Sequence, residues 1–165
     1  MSPLDALAGV VAAEVLVEAL NTSRKLAELG VRHALIGGLA VGLHGHPRAT
    51  KDVDFLVGDE AFIRMVPIIQ YRPELADVVR LGVIDLMAVP SEHQELQDNL
   101  VVPEGTGVPI IPLAPLVLLK LSAGRPQDLA DVRALIHAGA DVDEIRAYLE
   151  EHAPELIPVL AQLAT

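Results

Sequence analysis

The sequence has no cysteine and no tryptophan, and Phe, Trp and Tyr together make up 2% of its 165 residues. Without cysteine, disulfides and Cys-based zinc sites are excluded, and nothing in the chain reports a redox compartment. So few rings argue against base stacking on aromatic platforms as a binding mode. Cations are also scarce. Lys and Arg number 12 against 23 Asp and Glu, a formal net charge of −11. That balance argues against a broad phosphate-tracking surface, which needs clustered Lys and Arg, but it allows a local basic site around one small anion. Long apolar runs are missing too: "PIIPLAPLVLL" (109–119) is too short and too proline-broken to span a bilayer. The N-terminal "MSPLDALAGVVAAEVLVEAL" carries Asp5 and Glu14 and lacks a basic leader. A signal peptide is therefore not expected, and the cytoplasm is the default location.

What the chain has is aliphatic bulk. Hydrophobic residues make up 52%, mostly Leu, Ala and Val, enough for a real core in one domain over residues 1–165. The pattern reads as α+β, with a small mixed sheet and flanking helices over about 22–112 and a C-terminal helical set over about 113–165. Residues 4–20 have helical apolar spacing, and "NTSRKLAELG" (21–30) continues or restarts that helix, with Gly30 as its stop. "VRHALIG" (31–37) reads as a buried strand entering a glycine turn, "GLAVGLHGH" (38–46) as a short helix, and "KDVDFLVG" (51–58) as a second strand. "DEAFIRMVPIIQ" (59–70) reads as a helix with an acidic start, and "DVVRLGVIDLMAVP" (77–90) as two strand segments broken at Gly82. "SEHQELQDNL" (91–100) suggests a short helix and "PIIP" a brief strand. Residues 113–124, 126–139 and 141–164 are expected to be helical, the last interrupted near Pro154 and Pro158.

Chemistry concentrates in the acids of the strands. In a strand, residues two apart share a face, so Asp52 and Asp54 lie side by side while Val53 and Phe55 point into the core. They are either a solvated strand face or a pair gathered around a cation, because adjacent carboxylates resist joint ionisation without one. A hard divalent cation such as Mg²⁺ or Mn²⁺ takes oxygen ligands of this kind together with substrate phosphates. Asp85 in "GVIDLMAV" sits among apolar residues, with Ile84 and Leu86 on one face and Val83, Asp85 and Met87 on the other. It is either a salt-bridged surface acid or, if its strand neighbours that of Asp54, the third member of a metal-binding set.

Gly37-Gly38 follows one predicted strand and opens one predicted helix, with thirteen residues between Gly38 and Asp52. Such a turn serves tight packing or lets backbone N–H groups approach a phosphate. In "HGHPRATK", Arg48, Thr50 and Lys51 lie beside the acids, as salt-bridge partners or as contacts to triphosphate oxygens. His44 and His46 share this loop with no third His near, which fits polar loop contacts better than zinc.

Taken together, "LIGG", the spacer, "DVD" and the later "VIDLM" resemble the nucleotidyltransferase superfamily with the polymerase-beta-like fold. The finer form, "GGLAVGLHGHPRATKDVDFLV", is similar to the branch of abortive-infection-type toxin nucleotidyltransferases and their bacterial relatives. A downstream Lys120 and "AGRPQDLADV", with Arg125, Asp128 and Asp131, extend the likeness over about residues 31–135. The resemblance implies transfer of NMP from an NTP to an acceptor hydroxyl on tRNA, a protein or a small molecule, with release of pyrophosphate. It implies Gly37 and Gly38 as phosphate contacts, Asp52, Asp54 and Asp85 as metal ligands and catalytic acids, and Lys120 as a contact to nucleotide or triphosphate. Arg125 and Asp128 are either nucleotide contacts or, structurally, Arg125 pairs with Asp128 or Asp131 at a helix start. A toxin–antitoxin role, with a homodimer or a cognate partner protein and no membrane, belongs to the same expectation. The turn is Gly-Gly where many members carry Gly-Ser, which leaves phosphate binding to backbone groups. The alternative is a catalytically weak nucleotide-binding or antitoxin-like interaction protein.

Overall fold

The computed structural model describes residues 2–65, 68–79 and 83–165. A 3-10 turn, Pro3–Leu7, precedes helix α1, Ala13–Glu28, so the N-terminal region is two pieces rather than one helix from residue 4. α1 buries Val15, Ala19 and Leu26 along one stripe. It ends as expected at Gly30, whose φ of 70° no β-carbon favours. There the Gly30 and Val31 N–H groups donate to the Ala27 and Leu26 carbonyls at 3.0 and 2.9 Å.

Strand β1, His33–Ile36, is buried throughout and leads into the short helix α2, Gly37–Leu43. Strand β2, Val53–Val57, occupies the centre of a sheet of three, antiparallel to β1 and parallel to β5, Ile84–Ala88. The sheet is therefore mixed. Val53, Phe55 and Val57 point to the layer holding α1, while Leu56 shares the opposite core with Ala34, Ile36 and Leu116. Asp54 belongs to that second face by alternation.

Two expectations for the middle of the chain fail. The described residues of 59–70 are not a helix: a 3-10 turn, Asp59–Ala61, leads into β3, Phe62–Met65, which pairs antiparallel with β4, Ile68–Tyr71. Phe62 and Tyr71 pair across these strands with ring centroids 5.2 Å apart, and the Tyr71 hydroxyl donates to the Leu86 carbonyl at 2.7 Å. Aromatic and β-branched residues with a cross-strand partner outweigh the helical reading of the acidic start. Residues 77–79 are not strand either. A 3-10 turn, Pro73–Leu75, runs into α3, Ala76–Val79, and the expected break at Gly82 lies outside the described residues. Ser91–Asn99 forms 3-10 turns kinked at His93, and the expected "PIIP" strand reduces to a single bridge from Ile110 to Leu35.

The C-terminal set comprises α4, Leu113–Ala123, α5, Pro126–His137, α6, Val142–His152, and α7, Ile157–Leu163. Pro154 does interrupt the last helical stretch, whereas Pro158 sits in the first turn of α7, where its missing N–H costs nothing. α4 is wedged between the sheet and the other helices, with Leu116 in the sheet core and Val117 and Leu121 in the helical core. The fold is α+β, and among the described residues no helix is long and apolar enough to cross a membrane.

Candidate functional site

At the end of the sheet where β1 stops and β2 and β5 begin lies a cleft of about 380 Å³. Its floor is set by register: Ile36 pairs with Asp54, and Asp54 pairs with Asp85. The pleat turns both carboxylates to the same side; Asp52, expected within the strand, lies one residue before β2 begins and lines the same cleft. Ile84 and Leu86 are buried while Val83 and Met87 are 37% exposed, so Asp85 stands on the open face of β5. Asp52 and Asp85 are exposed and Asp54 is partly buried.

The glycine turn closes one side. Gly37 has φ 69°, and a Cβ there would collide with the Asp54 carboxylate, its Cγ lying at 2.9 Å. A Cβ on Gly38 would sit 3.1 Å from Arg48 Nη2 and 3.2 Å from Thr50 Oγ1. The paired glycines therefore let Asp54 on one side and Arg48 and Thr50 on the other come against the backbone.

The opposite wall comes from the C-terminal helices. Lys120, its side chain 9% exposed, donates to Asp128 Oδ1 at 3.1 Å and to Asp131 Oδ2 at 2.9 Å. Arg125 caps α5 by donating to Asp128 through its side chain at 2.7 Å and its backbone N–H at 3.3 Å. Arg48 reaches across from the loop before β2 to Asp131, with Nε and Nη2 at 2.8 and 2.9 Å from its two oxygens. Burial opposes ionisation of Asp128, but the hydrogen bonds from Arg125 and Lys120 outweigh it and hold the carboxyl below its usual range. For Asp131 the donors from Arg48 and Lys120 do the same.

Asp54 behaves oppositely. Burial, then the charges of Asp85 and Asp52, push its pKa up to about 6, against a weaker pull from Lys120 and Arg125. Among the described residues none of Asp52, Asp54 and Asp85 is in a salt bridge, and no three His, Cys, Asp or Glu side chains are gathered tightly enough to make a ready metal cage. The donor set nonetheless suits a hard divalent cation: unpaired carboxylate oxygens, one with its pKa raised by burial and by its acidic neighbours, beside room for a phosphate.

Gly37, Gly38, Arg48, Thr50, Asp52, Asp54, Asp85, Lys120, Arg125 and Asp128 all line this cleft. Lys51 does not; it is exposed and outside the lining. His44 makes the expected loop contact, its Nε2 donating to the Ile111 carbonyl at 2.7 Å. Asp131 takes Arg48 and Lys120 rather than Arg125, and Gln127 and Met87 join the site without any separate signal in the sequence. Asp131 did have one: an acid three residues after Asp128 on a helix occupies the same face. No family model and no curated protein matches the chain at a significant level.

Proposed function

We propose that the chain is a nucleotidyltransferase of polymerase-beta-like type that moves an NMP group from an NTP to an acceptor hydroxyl. The observation that carries this reading is the pairing of Asp54 with Asp85 across β2 and β5, with the Gly37-Gly38 turn packed against Asp54. Asp52, Asp54 and Asp85 would hold Mg²⁺ or Mn²⁺, which supplies positive charge to the reacting phosphate and its leaving oxygens. Mg²⁺ binds through one or two carboxylates plus substrate phosphates, so a complete cage of side chains is not required beforehand.

The chain's own residues carry the remaining work. Backbone groups at Gly37 and Gly38, with Arg48 and Thr50 against them, bind and orient the phosphates. The acceptor oxygen forms a bond to the α-phosphorus as the bond from that phosphorus to the bridging oxygen of pyrophosphate breaks. Asp85, on the open face, receives the hydroxyl proton, and pyrophosphate leaves with the electron pair. Arg125, 76% exposed at the mouth, meets the negative charge of the departing group.

Incubation with each labelled NTP, Mg²⁺ and a cell extract tests the reading, with label expected in one acceptor class: tRNA, protein or small molecule. Nucleotide binding without transfer under any NTP and metal would move the weight to a nucleotide-binding or antitoxin-like interaction protein.

A further inference from the structure

Asp131 is completely buried, yet it touches both the loop before β2 and the helix that carries Lys120. An ionised carboxylate offers about four accepting positions. At Asp131 all are filled by the protein: Arg48 Nε at 2.8 Å and Gln127 Nε2 at 2.9 Å on Oδ1, and Arg48 Nη2 and Lys120 Nζ, both at 2.9 Å, on Oδ2. A carboxylate so saturated has nothing left to offer a metal, a hydroxyl proton or a nucleotide. Its remaining effect is on the groups it holds.

The group it holds most specifically is Arg48. A two-pronged grip on Nε and Nη2 fixes the plane of the guanidinium as well as its position. That plane lies against Gly38, with Nη2 and Cζ at 3.1 and 3.3 Å from where a Cβ would stand. Of its donors, Nη1 makes only a long contact of 3.4 Å to the Ala49 carbonyl, and Arg48 lines the cleft. Lys120, by contrast, spends its ammonium between Asp128 and Asp131. Arg48 thus lies against the glycine turn with donors left over after Asp131, and its aim depends on a residue from a different part of the chain.

We infer that Asp131 is a positioning residue: it orients Arg48 to bind the phosphates of the nucleotide, and phosphate recognition runs through this buried pair. The inference rests on the nucleotidyltransferase reading above. It assigns Asp131 no contact with nucleotide, and it makes docking of α5 against the loop before β2 a condition for tight triphosphate binding.

The test is calorimetric titration of Mg·NTP, Mg·NMP and the plain nucleoside into wild-type protein and into Asp131→Asn, Arg48→Lys and the double variant. Arg48→Lys keeps the charge and loses the fork, and it sits at a partly exposed position, so it serves even if Asp131→Asn folds poorly. Each single variant should weaken Mg·NTP binding by roughly tenfold, the worth of one charge-assisted hydrogen bond. Nucleoside affinity should stay unchanged, and the double variant should be no worse than the worse single. Equal losses for NTP and nucleoside, or losses that multiply in the double variant, would show that Asp131 acts only on the fold. Wild-type protein that binds no Mg·NTP overturns the nucleotide reading itself; wild-type binding that Arg48→Lys leaves intact overturns this inference alone.

Discussion

Asp54 and Asp85 are direct register partners across the parallel pair β2 and β5, thirty-one positions apart in sequence and adjacent in the sheet. Two carboxylates set on neighbouring strands, with a third on Asp52, build a negative field that the helical wall only partly offsets.

The first consequence is a stability cost that depends on pH. The pKa of Asp54 is about 6 in the fold against 3.8 ordinarily. Between those values the folded chain binds the proton more tightly than the unfolded chain, so stability falls as pH rises through the window and stays lower above it. That difference corresponds to about 3 kcal/mol. Metal-free Asp54→Asn should therefore melt higher than wild type at pH 8, with the gap closing by pH 4. Equal melting temperatures at pH 8 would contradict the raised value.

A divalent cation should reverse that cost. Mg²⁺ binding to ionised Asp52, Asp54 and Asp85 stabilises the native state in proportion to its affinity, and protons compete for the same oxygens. Added Mg²⁺ should raise the melting temperature at pH 8 and do so much less at pH 5. The paired change Asp52→Asn with Asp54→Asn should abolish the shift. A shift that survives the paired change would place the metal elsewhere.

The two glycines should separate by phenotype. Gly37→Ala forces a side chain into left-handed backbone, worth about 1–2 kcal/mol, and drives its Cβ into the Asp54 carboxylate. It should lower stability by roughly 2 kcal/mol or more in urea unfolding. The nearest neighbours of a Cβ on Gly38 are the ends of the Arg48 and Thr50 side chains at 3.1–3.3 Å, so Gly38→Ala must shift the clamped Arg48 by a few tenths of an ångström. It should lose less stability than Gly37→Ala and weaken nucleotide binding; a urea midpoint as low as that of Gly37→Ala would count against that separation.

Lys120 holds the helical wall together. Lys120→Met leaves Asp128 and Asp131 buried with a partner missing, at a cost of about 3 kcal/mol or more by chemical denaturation. The sign with pH is opposite to that of Asp54. Both acids have folded values below the ordinary range, so their contribution is present above pH 3.8 and is lost as pH falls through those lower values. Wild type should lose stability on acidification below about pH 4, and Lys120→Met should show a flatter acid limb. Identical acid limbs would mean that the ammonium does not set those values.

Much of the frame was legible because it is local. Alternation in "KDVDFLV" put Val53 and Phe55 inside, Gly30 marked the end of α1, and Ile84 and Leu86 declared the buried face of β5. The pairing of β3 with β4 was not legible: Phe62 against Tyr71 and Tyr71 on Leu86 are pairings between strands, which the periodicity of a single segment does not report. Lys51 illustrates the converse, since proximity in sequence to Asp52 did not bring it into the cleft.

The sequence by itself determined which residue types were available along each segment: acids in and beside the strands, glycines where backbone must come close, cations flanking them. Strand period and glycine's missing Cβ act within a few residues, so no neighbour had to be known. Only the tertiary structure decided which of these meet. The parallel pairing set Asp85 opposite Asp54, and the packing of α4 and α5 against the sheet brought Asp131 to Arg48 across eighty-three positions. Register and helix docking are fixed by burial of whole faces, and a carboxylate finds its partner only after those faces have closed.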